Sequence, residues 1–224
     1  MKNNVLILLL LLGISAFSQL KKEKEGYYLE DQIYFKLSYN ALKNLPKSIH
    51  QSGFSNNFSI GYIRDIPINK ERNFGFGIGL GYGNETYFHN MKITEVNNQT
   101  LFEYFNNDEI YKSNKLKINQ LEIPFEIRWR TSTIEKFKFW RIYSGIKINY
   151  LFSSKSVFDL NGKQTYKDLK AINKLQYGYS IAAGYGTFNF YFYYGLTPLF
   201  KNAKLNDESL KLNELKFGLQ FYLF

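Results

Sequence analysis

The sequence predicts an all-β chain: an eight-stranded antiparallel up-and-down transmembrane β-barrel. Three observations carry this. From Phe74 to Tyr82 a large apolar residue stands at every second position, with Gly75, Gly77, Gly79 and Gly81 between. Only a strand has a two-residue period; a helix would scatter both sets around its circumference. Eight such alternating stretches run through residues 31–224. The connections between them alternate long and short, as in a membrane barrel with both termini in the periplasm, long loops outside and tight turns inside.

The first stretch, 31–41, sets Ile33, Phe35, Leu37 and Tyr39 against Tyr34, Lys36, Ser38 and Asn40. The second, 54–66, opposes Phe58, Ile60 and Tyr62 to Asn57, Ser59 and Gly61. The glycine stripe of 73–88 is the third, with Phe76, Ile78 and Leu80 on its apolar face. The fourth, 116–130, sets Leu121, Ile123, Phe125, Ile127 and Trp129 against Glu122, Pro124, Glu126, Arg128 and Arg130. Pro124 has no ladder donor, so a bulge or a missing hydrogen bond is expected beside it. In the fifth, 138–152, Trp140, Ile142, Ile146, Ile148 and Tyr150 oppose Arg141, Tyr143, Gly145, Lys147 and Asn149. The sixth and seventh, 173–185 and 188–198, are joined by Gly186-Thr187, whose glycine suits the first central position of a type II′ turn. That turn sets Tyr185 opposite Phe188, Ala183 opposite Phe190 and Ile181 opposite Phe192. The eighth, 213–224, opposes Leu215, Phe217, Leu219 and Phe221 to Glu214, Lys216, Gly218 and Gln220. Phe224 is one residue out of step with that apolar face.

Connections 42–53, 89–115, 153–172 and 199–212 are long and polar, whereas 67–72, 131–137 and 186–187 are short. A soluble sandwich has no reason to keep such an asymmetry. Composition agrees: Tyr (19) and Phe (21) are abundant in a mildly polar chain of mean hydropathy −0.34. Membrane barrels concentrate such rings at the lipid boundary. Residues 1–18 read as a signal peptide, with Lys2, the apolar run Val5–Leu12 and small residues at Ala16 and Ser18. Residues 19–30 then form a short periplasmic segment. The chain has no cysteine, so neither a lipid anchor on cysteine nor a disulfide is expected. The net charge of +10 is dispersed through the loops, where solvated lysines are the expectation and nucleic-acid binding is not.

The fourth and fifth stretches put Glu122, Glu126, Arg128, Arg130, Arg141 and Lys147 on the face opposite the apolar one. With the hairpin centred near 133–134, Glu126 would face Arg141 and Glu122 would reach diagonally toward Lys147. Inside eight strands these groups would bridge a plugged lumen, with the glycines making room. The lipid-facing set is then Phe76, Ile78, Leu80, Phe125, Ile127, Trp140, Ile146, Ile148, Phe190, Phe192, Phe217, Leu219 and Phe221. Outer-membrane lipid is the expected partner of that surface.

No nucleophile–base arrangement stands out. The two histidines, His50 and His89, lie beside long loops, with Ser48 and Ser52 near the first. No catalytic residue, cofactor or metal site is expected. Loop 89–115 carries the aromatics that would meet a partner or prolong a hairpin, among them Phe102, Tyr104, Phe105 and Tyr111, beside Tyr87 and Phe88.

The run Gln120-Leu121-Glu122-Ile123-Pro124-Phe125-Glu126-Ile127-Arg128-Trp129-Arg130 resembles a strand of the PorT-like outer-membrane β-barrel family of Bacteroidetes-type bacteria. Lys138-Phe139-Trp140-Arg141-Ile142-Tyr143, leading into the Gly145 strand, is similar to the strand that follows it. The resemblance implies an eight-stranded outer-membrane barrel, without catalytic residues, that supports assembly or operation of the type IX secretion system. Secretion-system proteins would then be met through loops 89–115 and 153–172. The alternative is a small barrel serving as surface receptor, adhesin or envelope tether. A rim-active enzyme and a soluble barrel with its apolar face inward are further readings.

Overall fold

The computed structural model describes residues 31–105, 111–131, 139–206 and 208–223. The signal peptide, the 19–30 segment and Phe224 lie outside the described residues. In chain order the strands are β1 (Gln32–Lys43), β2 (Asn56–Pro67), β3 (Phe74–Phe88), β4 (Met91–Val96), β5 (Gln99–Tyr104), β6 (Ser113–Arg130), β7 (Trp140–Asp159), β8 (Lys163–Lys167), β9 (Leu175–Tyr185), β10 (Phe188–Gly195), β11 (Lys204–Leu205), β12 (Glu208–Ser209) and β13 (Asn213–Leu223).

Eight of these close on themselves. Each neighbour in the order β1, β2, β3, β6, β7, β9, β10, β13 pairs antiparallel with the next, and β13 returns to β1 from Ile33↔Leu223 to Lys43↔Asn213. The fold is therefore an all-β, closed, eight-stranded antiparallel barrel. Closure removes every sheet edge from the wall.

Side-chain parity divides inside from outside. On β3, Phe76, Ile78 and Leu80 are exposed while Gly75 and Gly77 are buried. On β10, Phe190 is the most exposed ring of the wall at 77%. Gly186 takes a positive φ of 59° and Thr187 does not, as a type II′ turn requires, and the register is Tyr185↔Phe188, Ala183↔Phe190 and Ile181↔Phe192. Beside Pro124 the β3–β6 ladder skips two pairs, Gly79 with Pro124 and Leu80 with Ile123, between Ile78↔Phe125 and Gly81↔Glu122. The proline ring crowds Gly79, where a Cβ would stand 3.1 Å from its Cγ.

One sequence expectation fails in this wall. The β6–β7 hairpin sets Glu126 against Gly145 and Arg130 against Arg141, so Glu126 does not face Arg141. The hairpin centre lies two residues further along than 133–134. No Gly, Asn or Pro stands between Arg130 and Trp140 to mark a tight turn, so only packing fixes the register. A register shift falls between Asn119 and Gln120, where Phe152 is the extra residue of β7.

The long connections are also more ordered than solvated loops. β6 and β7 run past the wall and take β8 as an added strand, while β4–β5 and β11–β12 form hairpins of their own. Together they build a cap over one end of the barrel.

Candidate functional site

Six cations and five carboxylates are buried among the described residues: Lys36, Lys147, Lys216, Arg128, Arg130 and Arg141, with Asp65, Glu85, Glu122, Glu126 and Glu214. All lie in the lumenal phase of barrel strands, grouped in three tiers.

At the end of the short turns, Asp65 accepts from Arg128 Nη1 at 3.0 Å and from Arg130 Nη2 at 2.7 Å. Arg128 Nε donates to Glu126 at 3.0 Å, and its guanidinium lies 4.6 Å from the Tyr143 ring centre. Gly77 leaves the space: a Cβ there would stand 2.5 Å from Arg128 Nε. Arg141 forms no ion pair among the described residues and instead stacks on Phe139 and Tyr222, at 4.5 and 5.3 Å.

Glu122 is the hub of the middle tier. It accepts from Lys36 at 2.6 Å, Lys147 at 2.9 Å, Ser59 at 3.0 Å and Tyr34 at 3.1 Å. Lys36 also sits between the Tyr34 and Tyr191 rings, at 4.7 and 4.9 Å. The Tyr34 ring lies over Gly61, where a Cβ would approach its Cζ to 2.5 Å.

In the upper tier Lys216 pairs with Glu85 and with Glu214, the latter at 3.0 Å. Tyr87 donates toward both carboxylates, 2.8 Å from Glu85 and 2.5 Å from Glu214. Gln120 donates to Glu85 at 2.6 Å. Side chains thus cross the lumen at three levels, as the narrow interior of eight strands requires.

The structure brings together Glu122 with Lys147, and Glu126 with Arg128 and Arg130 through Asp65. It leaves Arg141 apart. Sequence reasoning set Lys36, Glu214 and Lys216 on polar faces without assigning them to the charge network, and did not name Asp65 or Glu85. Parity marks them all, because each continues the polar phase of its own stretch. On the outer side, Phe125, Ile127, Trp140, Ile146, Phe192, Phe217 and Leu219 are exposed, and Ile148 and Phe221 are half-buried.

Above the tiers, an apolar cluster fills the cap. Ile49, Met91, Ile93, Leu169, Ile172, Leu199, Phe200, Leu205, Leu210 and Leu212 meet Leu116, Ile118 and Leu151 of the wall. The four long connections are laced to one another. Asn90 donates to Ser48 O at 2.8 Å, Ala171 N to Thr100 Oγ1 at 2.9 Å, and Lys201 N to Ala171 O at 2.7 Å. The loop aromatics turn mostly inward: Phe105 is buried, and Phe102 packs edge-on against Phe200 at 4.9 Å. His50 is exposed, whereas His89 is sealed beneath the cap. Burial pushes the His89 imidazole down to about 4, because charging it there forfeits hydration. Among the described residues, no group of His, Cys, Asp and Glu is arranged to hold a metal ion.

A family model described as "Outer membrane protein beta-barrel domain" matches residues 17–201. Among solved structures, the chain is similar to Ail, the attachment invasion locus protein of Yersinia pestis, at 10% identity and a TM-score of 0.33. That alignment covers 86% of this chain and 97% of Ail. No curated protein matches the sequence.

Proposed function

The chain belongs to the outer membrane protein beta-barrel domain family, a bacterial outer-membrane protein, and from that premise we propose that it is a non-enzymatic, non-conducting barrel displaying a folded docking surface: a receptor, adhesin or envelope tether. Its short turns face the periplasm, as do both termini, and its cap stands outside the cell. Phe76, Phe190 and the other exposed residues of the wall then meet hydrocarbon. The observation that carries this reading is the pairing of a lumen crossed by three ionic tiers with a cap that has its own apolar core. A channel would need an open path, and loops that serve only to join strands would need no core.

The cysteine-free sequence makes topology directly testable. Val96→Cys, at the exposed tip of β4–β5, should react with a membrane-impermeant maleimide in intact cells. Ile68→Cys, in a short connection, should react only after the outer membrane is opened. The reverse pattern sinks the proposed orientation.

The resemblance of β6 and β7 to the PorT-like hairpin supports a second reading, support of type IX secretion through the cap. Deleting the gene and comparing secreted protein decides it: undiminished export removes this reading and leaves the docking surface standing.

A further inference from the structure

Lys117 on β6 is directly opposite Lys155 on β7, and Lys155 is directly opposite Lys167 on β8. Three like charges thus lie in one cross-strand row, an arrangement that by itself destabilises a sheet. Leu116 and Ile118 point into the cap, so Lys117 points away from it. Lys117 and Lys167 are exposed and Lys155 is half-buried. The next residue across from Lys117 on β3 is Thr86, which brings no charge. The nearest carboxylates in sequence are Asp159, opposite Lys163, and Asp168, and neither pairs with the row among the described residues. In the cap the described ion pair is Lys92 with Glu103, on another hairpin.

The row's height on the wall says what it meets. Leu121 is the last apolar residue on the outer face of β6, and Lys117 is four residues beyond it. At about 3.4 Å per residue and a tilt near 40°, that is about 10 Å above the apolar belt. Lysine stems lean back over part of that distance and so bring their ammonium groups down to headgroup level. Just below the row, Tyr82 and Phe152 form an exposed ring pair at 6.3 Å. Apolar rings beneath ammonium groups that pair with no carboxylate among the described residues match a molecule with acyl chains below and phosphate above.

We propose that the Lys117–Lys155–Lys167 row, with Tyr82 and Phe152 beneath it, binds a phosphorylated lipid of the outer leaflet. The phosphate supplies the counter-charge that the row lacks among the described residues, and the site fixes how high the barrel rides in the membrane. The assignment rests on the proposed orientation, with the cap outside.

The full chain is inserted into phosphatidylcholine vesicles containing phosphorylated lipid A, or its dephosphorylated form, and lysine acetylation is followed by mass spectrometry. Lys201, Lys204 and Lys211, exposed in the cap, serve as internal references. The expected result is acetylation at Lys117 and Lys167 that is about fivefold slower with phosphorylated lipid, the factor for one lysine near an anionic surface. The references should not change. Equal protection by the dephosphorylated lipid, or equal protection of the references, overturns the proposal. Protection by inorganic phosphate added to plain phosphatidylcholine vesicles overturns the lipid as source. The Lys117→Gln/Lys155→Gln/Lys167→Gln variant should keep its heat-modifiable gel shift and lose co-purifying lipid phosphate; retained phosphate overturns the site. If that variant does not fold, the footprint of the unmodified chain decides. The Val96→Cys labelling reads orientation separately, so an outward cap with unprotected lysines sinks only this site.

Discussion

Glu122 shows what a single carboxylate does in a dry lumen. Two lysines, a serine and a tyrosine converge on it, and without its charge Lys36 and Lys147 would repel each other across a low-dielectric gap. Glu122→Gln should therefore cost about 3–5 kcal/mol, the range for stranding buried ions. Arg141→Gln should cost far less, because Arg141 leaves no carboxylate behind. Urea unfolding in detergent, followed by the gel shift, compares the two; equal losses would refute the tiered description. His89 gives a pH signature. Its folded pKa near 4 lies below the ordinary value of 6.5, so between these the unfolded chain binds more protons. Stability is then fully present above pH 6.5 and declines as pH falls toward 4, by about 3 kcal/mol at most. Protection factors in the cap, corrected for the intrinsic pH dependence of amide exchange, should fall from pH 7 to pH 5, and His89→Phe should flatten that response. Most of these residues were legible from parity alone. Their partners were not, because parity places a side chain inside without saying how high strand tilt will carry it.

Among the elements, legibility followed turn chemistry. Gly186-Thr187 admits one tight turn, and the β9–β10 register followed from it residue by residue. The stretch between Arg130 and Trp140 offers no such residue, and the hairpin there slid by two positions. The cap was invisible for a different reason. Its apolar residues, such as Ile49, Ile93, Leu169 and Leu205, stand singly among polar neighbours with no period, so only their meeting in space makes a core. That core should behave as a unit separable from the wall. Ile93→Ala removes a fully buried side chain and should cost about 2–5 kcal/mol. Hydrogen exchange should rise in residues 89–105 while the β9–β10 hairpin stays protected. Equal deprotection of both would show that cap and barrel unfold together.

At the scale of the whole molecule, the tiers and the cap lie in series along one axis, so an ion entering from either end meets buried charge pairs rather than water. In planar bilayers the inserted barrel should carry no steady current, and removing the cap hairpin β4–β5 alone should not open one, because the tiers remain. A sustained conductance in the intact chain would contradict the sealed interior. The pairing of β1 with β13 has a consequence for biogenesis. The partner of the first strand is the last to be synthesised, so β1 must wait with unsatisfied amides and carbonyls until translocation has delivered β13. Until those two meet, the nascent cylinder is a curled ribbon with two sticky margins. A chain stopped short of Asn213 would retain those margins permanently, an invitation to quality-control proteases rather than a smaller barrel.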